Sequence, residues 1–174
     1  MLNNQEEQKT EVQEAYFAGG CFWCITPAFA EADGVLSVTA GYCGGDEVNP
    51  SYEDVKHQKT HHRETIRIAY DAGRISYRQL LRLYLDNVDP FDAEGQFIDR
   101  GYSYTLAVYF QSDDELTSAR DLLAELEKET GRKPCVSVER FKAFYDAEEY
   151  HQNYYLKNPE AFERELIESG RKQL

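Results

Sequence analysis

This chain has no apolar run approaching the length of a membrane span, and its polar opening, Met1 to Thr10, contains no signal-peptide core. A cytoplasmic protein with a flexible leader over residues 1–14 is the expectation. Cations are scarce: 19 Lys plus Arg face 32 Asp plus Glu, a formal net charge of −13. That balance repels phosphate backbones and anionic lipid, so no nucleic acid and no membrane is expected as a partner. No internal repeat, low-complexity block or Pro/Ser-rich linker interrupts the sequence, and residues 15–174 are expected to form a single domain. There is only one Cys-x-x-Cys, and no histidine pair at zinc-finger spacing, which argues against a structural metal despite four cysteines and four histidines. In a reducing compartment those cysteines are not structural disulfides.

The most informative stretch that is present is Gly19-Gly20-Cys21-Phe22-Trp23-Cys24. Ala15 to Ala18 reads as a short strand, and the two glycines permit a sharp turn into a helix. Cys21 is expected near the first helical turn, where unpaired N–H groups favour an anion and should lower the thiol pKa. Phe22 and Trp23, the only tryptophan, put apolar walls beside it. Pro27 predicts an irregular helix start, with Phe22 to Cys24 in a 3₁₀-like turn and the α-helix proper beginning near the proline. Further strands are predicted at Val35–Tyr42, Glu64–Tyr70, Tyr104–Phe110 and Cys135–Phe141. Helices are predicted at Tyr77–Asn87, Ser112–Thr130, Asp146–Leu156 and Pro159–Ser169. Long loops, Asp46–Thr60 and Asp89–Ser103, separate some of them and are expected to be functional. The interleaving implies an α+β two-layer sandwich: a mixed β-sheet with flanking helices, and the nucleophile at a strand-to-helix turn.

Five segments, in order, resemble the type A peptide methionine sulfoxide reductases. They are Gly19-Gly20-Cys21-Phe22-Trp23, Gly41-Tyr42-Cys43-Gly44-Gly45, His62-Arg63-Glu64, Asp99-Arg100-Gly101-Tyr102-Ser103-Tyr104 and Tyr150-His151-Gln152-Asn153-Tyr154. The resemblance runs from about Tyr16 to Asn158 and implies a catalytic domain that reduces methionine S-sulfoxide, peptide-bound and free. It implies Cys21 as nucleophile, Glu64 as proton donor to the sulfoxide oxygen, and Tyr42 and Tyr104 as hydrogen-bond donors to the same oxygen. Phe22 and Trp23 would hold the substrate's ε-methyl group, and Asp99 would order the polar side of the pocket. No bound cofactor is implied; the sulfenic acid left on Cys21 would become a disulfide reopened by thioredoxin or another dithiol. A monomer is expected.

This sequence departs from the commonest family pattern, because the tail Glu168 to Leu174 has no resolving cysteine. Cys24, three residues after Cys21, is the first choice for that role. Cys43, Cys135 and direct attack by an external thiol are the alternatives. In a strand, Cys43 would point away from Tyr42. Val88 before Asp89-Pro90, and Ile98 before Asp99, are smaller departures at the pocket rim. A general Cys-x-x-Cys thiol–disulfide oxidoreductase is the runner-up reading, but it leaves Glu64, Tyr42 and Tyr104 without a task. A metal module and a purely structural role explain less still.

Overall fold

The computed structural model describes residues 9–172. A run of residues buried on both faces, Ala15 to Gly19, makes β1 (Val12–Gly19) a central strand. It lies antiparallel to β3 (Arg63–Asp71) on one side and to β6 (Leu106–Phe110) on the other. β2 (Val35–Cys43) extends the sheet beyond β3, with β8 (Phe144–Asp146) outside it, and β7 (Val136–Arg140) closes the far edge. The order is β7-β6-β1-β3-β2-β8, and only β6 and β7 run parallel. Period-two alternation then sorts the side chains. Ala15, Phe17, Tyr42, Ile66, Ile68, Leu106 and Val108 share one face with α1 (Phe22–Ala30), α3 (Tyr77–Asp86) and α4 (Asp113–Thr130). Tyr16, Ala18, Cys43, Ala107 and Tyr109 lie on the other, packed by Phe141 and Phe144. This is the two-layer α+β arrangement with a mixed sheet.

Several local expectations change. β1 begins at Val12, inside the span expected to be a leader, because Val12 to Phe17 pair with β3; residues 1–8 of that leader lie outside the described residues. α1 is continuous from Phe22, with Pro27 inside it rather than at its start. The proline forfeits one backbone bond, but burial of Phe22, Ile25 and Phe29 outweighs that loss. The loop after Gly45 contains α2 (Tyr52–Lys56), capped by Ser51, whose hydroxyl accepts from the Asp54 N–H at 3.2 Å. The next long loop carries a two-stranded hairpin, β4 (Gly95–Gln96) with β5 (Asp99–Arg100).

Tyr104 is not in a strand. It ends a 3₁₀ turn whose N–H returns to the Gly101 carbonyl at 3.0 Å, and β6 starts two residues later. The helix expected from Asp146 to Leu156 is also broken up. Residues 144–146 form β8 because Tyr145 pairs with Tyr42 on β2. A 3₁₀ turn at Glu149–His151 follows, then Asn153 in a left-handed conformation before the short α5 (Tyr154–Lys157). Gln152 holds this segment to β2, accepting from the Ala40 N–H and donating to the Ala40 carbonyl, each at 2.9 Å. α6 (Pro159–Glu168) completes the chain's helices among the described residues.

Candidate active site

The turn between β1 and α1 is shaped by Gly20, whose φ of +82° suits glycine alone; a Cβ there would meet Gln96 Cβ at 2.7 Å. Cys21 follows as the residue flanking α1, 6% exposed, its carbonyl accepting from the Cys24 N–H at 3.1 Å. The first N–H of the helix, that of Phe22, points at the Glu64 carboxylate (Oε2, 3.1 Å). Glu64 sits opposite Tyr42 in the β2–β3 register, on the helix-covered face. It is buried, 2% exposed, and burial together with the charges of Cys21 and Asp99 holds its carboxyl well above the usual range; the Phe22 N–H and Lys56 oppose this. A buried carboxylic acid that keeps its proton at neutral pH can donate it.

The thiol itself contradicts one expectation. The helix-start N–H is spent on Glu64, and Cys21 is pushed well above the ordinary thiol value, first by the hydrogen bond with the Cys24 thiol and then by burial. Negative charge on Cys24 and Asp99 adds to the rise. These contacts favour the thiol over the thiolate at Cys21.

The other predicted side chains converge around these two. Tyr42 is fully buried and donates its hydroxyl proton to Glu148 Oε1 at 3.1 Å. Burial, followed by the charges of Glu64, Tyr52, Asp99 and Cys21, raises the Tyr104 hydroxyl, so it remains a protonated donor. Asp99 has its Oδ2 buried without a hydrogen-bond partner among the described residues; burial raises its carboxyl and Arg171 partly offsets that. Phe22 is buried, with its ring centroid 6.0 Å from Tyr42 and 5.1 Å from His151. Trp23 is partly exposed, stacks on Tyr154 at 4.0 Å and 11°, and donates its indole N–H to His151 Nδ1 at 3.0 Å.

All four cysteines are free thiols. Cys24 is half-buried and lines a groove with Phe97, Phe162, Leu166 and Arg171. Cys43 lies on the opposite face of the sheet, buried against Tyr109, and burial pushes its thiol up to about 12. Cys135 is half-buried with its Sγ 3.6 Å from the Phe91 carbonyl. No cluster of three or more His, Cys, Asp or Glu suited to a metal occurs among the described residues.

Sequence reasoning gave Tyr52, Glu148 and His151 no role. Tyr52 entered through a loop read as irregular, and its ring centroid lies 4.3 Å from His151 and 6.5 Å from Phe22. His151 and its neighbours were visible only as a matching segment. Their place beside Trp23 depends on β8 pairing with β2, which no local pattern announced.

Comparison with known proteins agrees with this assembly. A family model described as "Peptide methionine sulfoxide reductase" matches residues 13–174. A Bacillus pumilus protein named peptide methionine sulfoxide reductase MsrA is 45% identical over 166 residues, 93% of each chain. Its Bacillus velezensis namesake is 42% identical over 167 residues, 94% of this chain and 93% of its own. Among solved structures, reduced Mxr1 of Saccharomyces cerevisiae superposes with a TM-score of 0.81 at 29% identity, covering 86% of this chain and 87% of that one. A further Mxr1 structure, in complex with Trx2, shares the fold at a TM-score of 0.56 and 20% identity over 84% and 90% of the two chains.

Proposed function

This chain belongs to the type A peptide methionine sulfoxide reductases, enzymes that return methionine S-sulfoxide to methionine, and from that membership we propose what each of its residues does. The substrate's ε-methyl group rests against Phe22 and Trp23, and its sulfoxide oxygen points toward Glu64, Tyr42 and Tyr104. Cys21 Sγ attacks the sulfoxide sulfur as the oxygen gains a proton from Glu64; the Tyr104 phenol stabilises the charge that develops there, and Tyr42 joins it by turning its hydroxyl proton away from Glu148, where it rests without substrate. Methionine leaves and Cys21 keeps the oxygen as a sulfenic acid. Cys24 Sγ then attacks Cys21 Sγ, the hydroxyl departs as water, and a disulfide remains. A dithiol reopens it. Thioredoxin is that dithiol in our reading, supported by the Mxr1–Trx2 complex of a structural relative. No bound cofactor is required, since the electrons arrive on thiols. Peptide-bound and free sulfoxide both serve, and the protein works as a cytoplasmic monomer.

The raised thiol fits this sequence of events. The Glu64 carboxylate left when its proton passes to the sulfoxide oxygen takes the Cys21 thiol proton, so the sulfur is unmasked only when substrate is present, which spares Cys21 from idle oxidation. The supporting observation is the buried Glu64 carboxyl, anchored to the N–H next to Cys21 and held above the usual carboxylate range by burial. The test is single-turnover release of methionine by Glu64→Gln. Loss of the proton donor should slow release by about 10²–10³-fold, while Cys21 still alkylates fully in the variant. Parental release would remove Glu64 from the role. General thiol–disulfide exchange accounts for Cys21 and Cys24 but gives this carboxyl nothing to do.

A further inference from the structure

Glu148 joins two parts of the site that lie on different elements. One carboxylate oxygen accepts from the Tyr42 hydroxyl at 3.1 Å. The other lies 3.6 Å from His151 Nε2, a charge contact longer than a hydrogen bond to a buried nitrogen that has no hydrogen-bond partner among the described residues, and receives the Tyr150 hydroxyl at 3.3 Å. The indole of Trp23 can only donate, so His151 Nδ1 is the acceptor in their 3.0 Å bond and the imidazole proton sits on Nε2, facing Glu148. The imidazole is enclosed, 1% exposed, between Phe22, Tyr52 and Tyr150 at centroid distances of 5.1, 4.3 and 3.9 Å.

We propose that Glu148 is a positioning residue for sulfoxide reduction: its carboxylate holds the Nε2–H form of His151, which fixes the Trp23 indole and thereby the wall that grips the substrate's methyl group. This rests on the assignment of Trp23 to that grip. The same carboxylate accepts the hydrogen bond of the Tyr42 hydroxyl, which fixes the phenol's place at the pocket before substrate arrives. Neither Glu148 nor His151 touches the reacting atoms; each acts through a ring that does.

A pH dependence follows. The ionisable groups around His151 are Glu148 and Tyr150 on its own segment, Tyr52 and Lys56 on α2, and Tyr42 on β2 through Glu148, with Cys21 and Glu64 beyond Phe22. Burial holds the imidazole neutral, and the Glu148 charge works against that. Acid places a second proton on Nδ1, which then has no lone pair for the indole. Removing the Glu148 charge moves that event to lower pH.

Because Trp23 is the only tryptophan, emission reports the surroundings of this one indole, the His151 bond and the Tyr154 stack. The experiment compares the parent, Glu148→Gln and Trp23→Ala by emission against pH and by KM and kcat for a peptide methionine S-sulfoxide. An amide has one acceptor oxygen and cannot serve Tyr42 and His151 together. For Glu148→Gln we expect KM to rise about tenfold, as for loss of one hydrogen bond to a charged group, with kcat changed far less and the emission midpoint at lower pH. Parental KM and midpoint in Glu148→Gln overturn the proposal. Nitrogen-15 NMR of the parent imidazole at neutral pH needs no variant: Nε2–H supports the proposal and Nδ1–H overturns it. If Trp23→Ala keeps the parental KM, the assignment of the methyl grip fails first, and that result is separate from any obtained at Glu148.

Discussion

At the scale of single residues, the site works through competition for one N–H group. Cys21 and Glu64 both lie where the first turn of α1 could stabilise an anion, and the Phe22 N–H goes to the carboxylate. The thiol is left with Cys24, whose hydrogen bond is the largest cause of its raised pKa. Cys24→Ala should therefore move the pH midpoint for alkylation of Cys21 downward, measured by iodoacetamide rate against pH; an upward shift would mean Cys24 had been helping the thiolate. Glu64 also carries a stability signature. Its folded-state pKa lies above its unfolded value, so its contribution is full in acid and is lost as pH rises through the folded pKa. Glu64→Gln, with no charge to bury, should gain stability relative to the parent as pH rises, read from urea midpoints at several pH values. The same variant loses turnover, as groups poised for catalysis commonly cost stability. A midpoint difference that does not change with pH would contradict a buried proton on Glu64.

At the scale of elements, the strand-to-helix turn carries the nucleophile because Gly20 can take φ +82° beside Gln96. Gly20→Ala should cost about 1–3 kcal/mol in a denaturation experiment and should displace Cys21; an unchanged urea midpoint would show that the turn is not strained. The second lesson concerns β8 and its following 3₁₀ turn. Their sequence has enough polar and aromatic residues to pass as a capped helix, yet the pairing of Tyr145 with Tyr42 and the Gln152 bridge to Ala40 bend it across β2. That bend brings Glu148 to Tyr42 and His151 to Phe22 and Trp23. Helices signalled by their caps were legible: Ser76 before α3, and Ser112 with Gly131 at the ends of α4, mark them in the sequence as in the structure, which adds Gln79 as the partner of Ser76. Where long-range pairing decided the outcome, local pattern could not. Tyr104 belongs to this class: its turn is set by Gly101 at φ +115°, while the residues around it look like strand.

At the scale of the molecule, the sheet separates Cys43 from Cys21 and Cys24. Cys21 flanks the start of α1 and Cys24 lies in its first turn, with the Cys24 N–H donating to the Cys21 carbonyl at 3.1 Å. Cys43, next to Tyr42 in sequence, is turned to the other side by strand alternation, as its position after Tyr42 implied, and is enclosed by Tyr16, Ala107 and Tyr109. The site residues read from the sequence, Cys21, Tyr42, Glu64, Asp99 and Tyr104, come from four separate segments; the first three meet because β1, β2 and β3 are adjacent, and Asp99 and Tyr104 arrive on β5 and the 3₁₀ turn after it. Their residue types were legible; their protonation states were not, since these depend on burial and on which group receives the helix-start N–H. The most direct measurement is mass spectrometry of the reduced enzyme after one equivalent of methionine S-sulfoxide. Release of methionine with a new disulfide between Cys21 and Cys24, and with Cys43 and Cys135 still free, is the predicted result. Methionine release that leaves Cys21 unoxidised, or links Cys21 to Cys43, would contradict it.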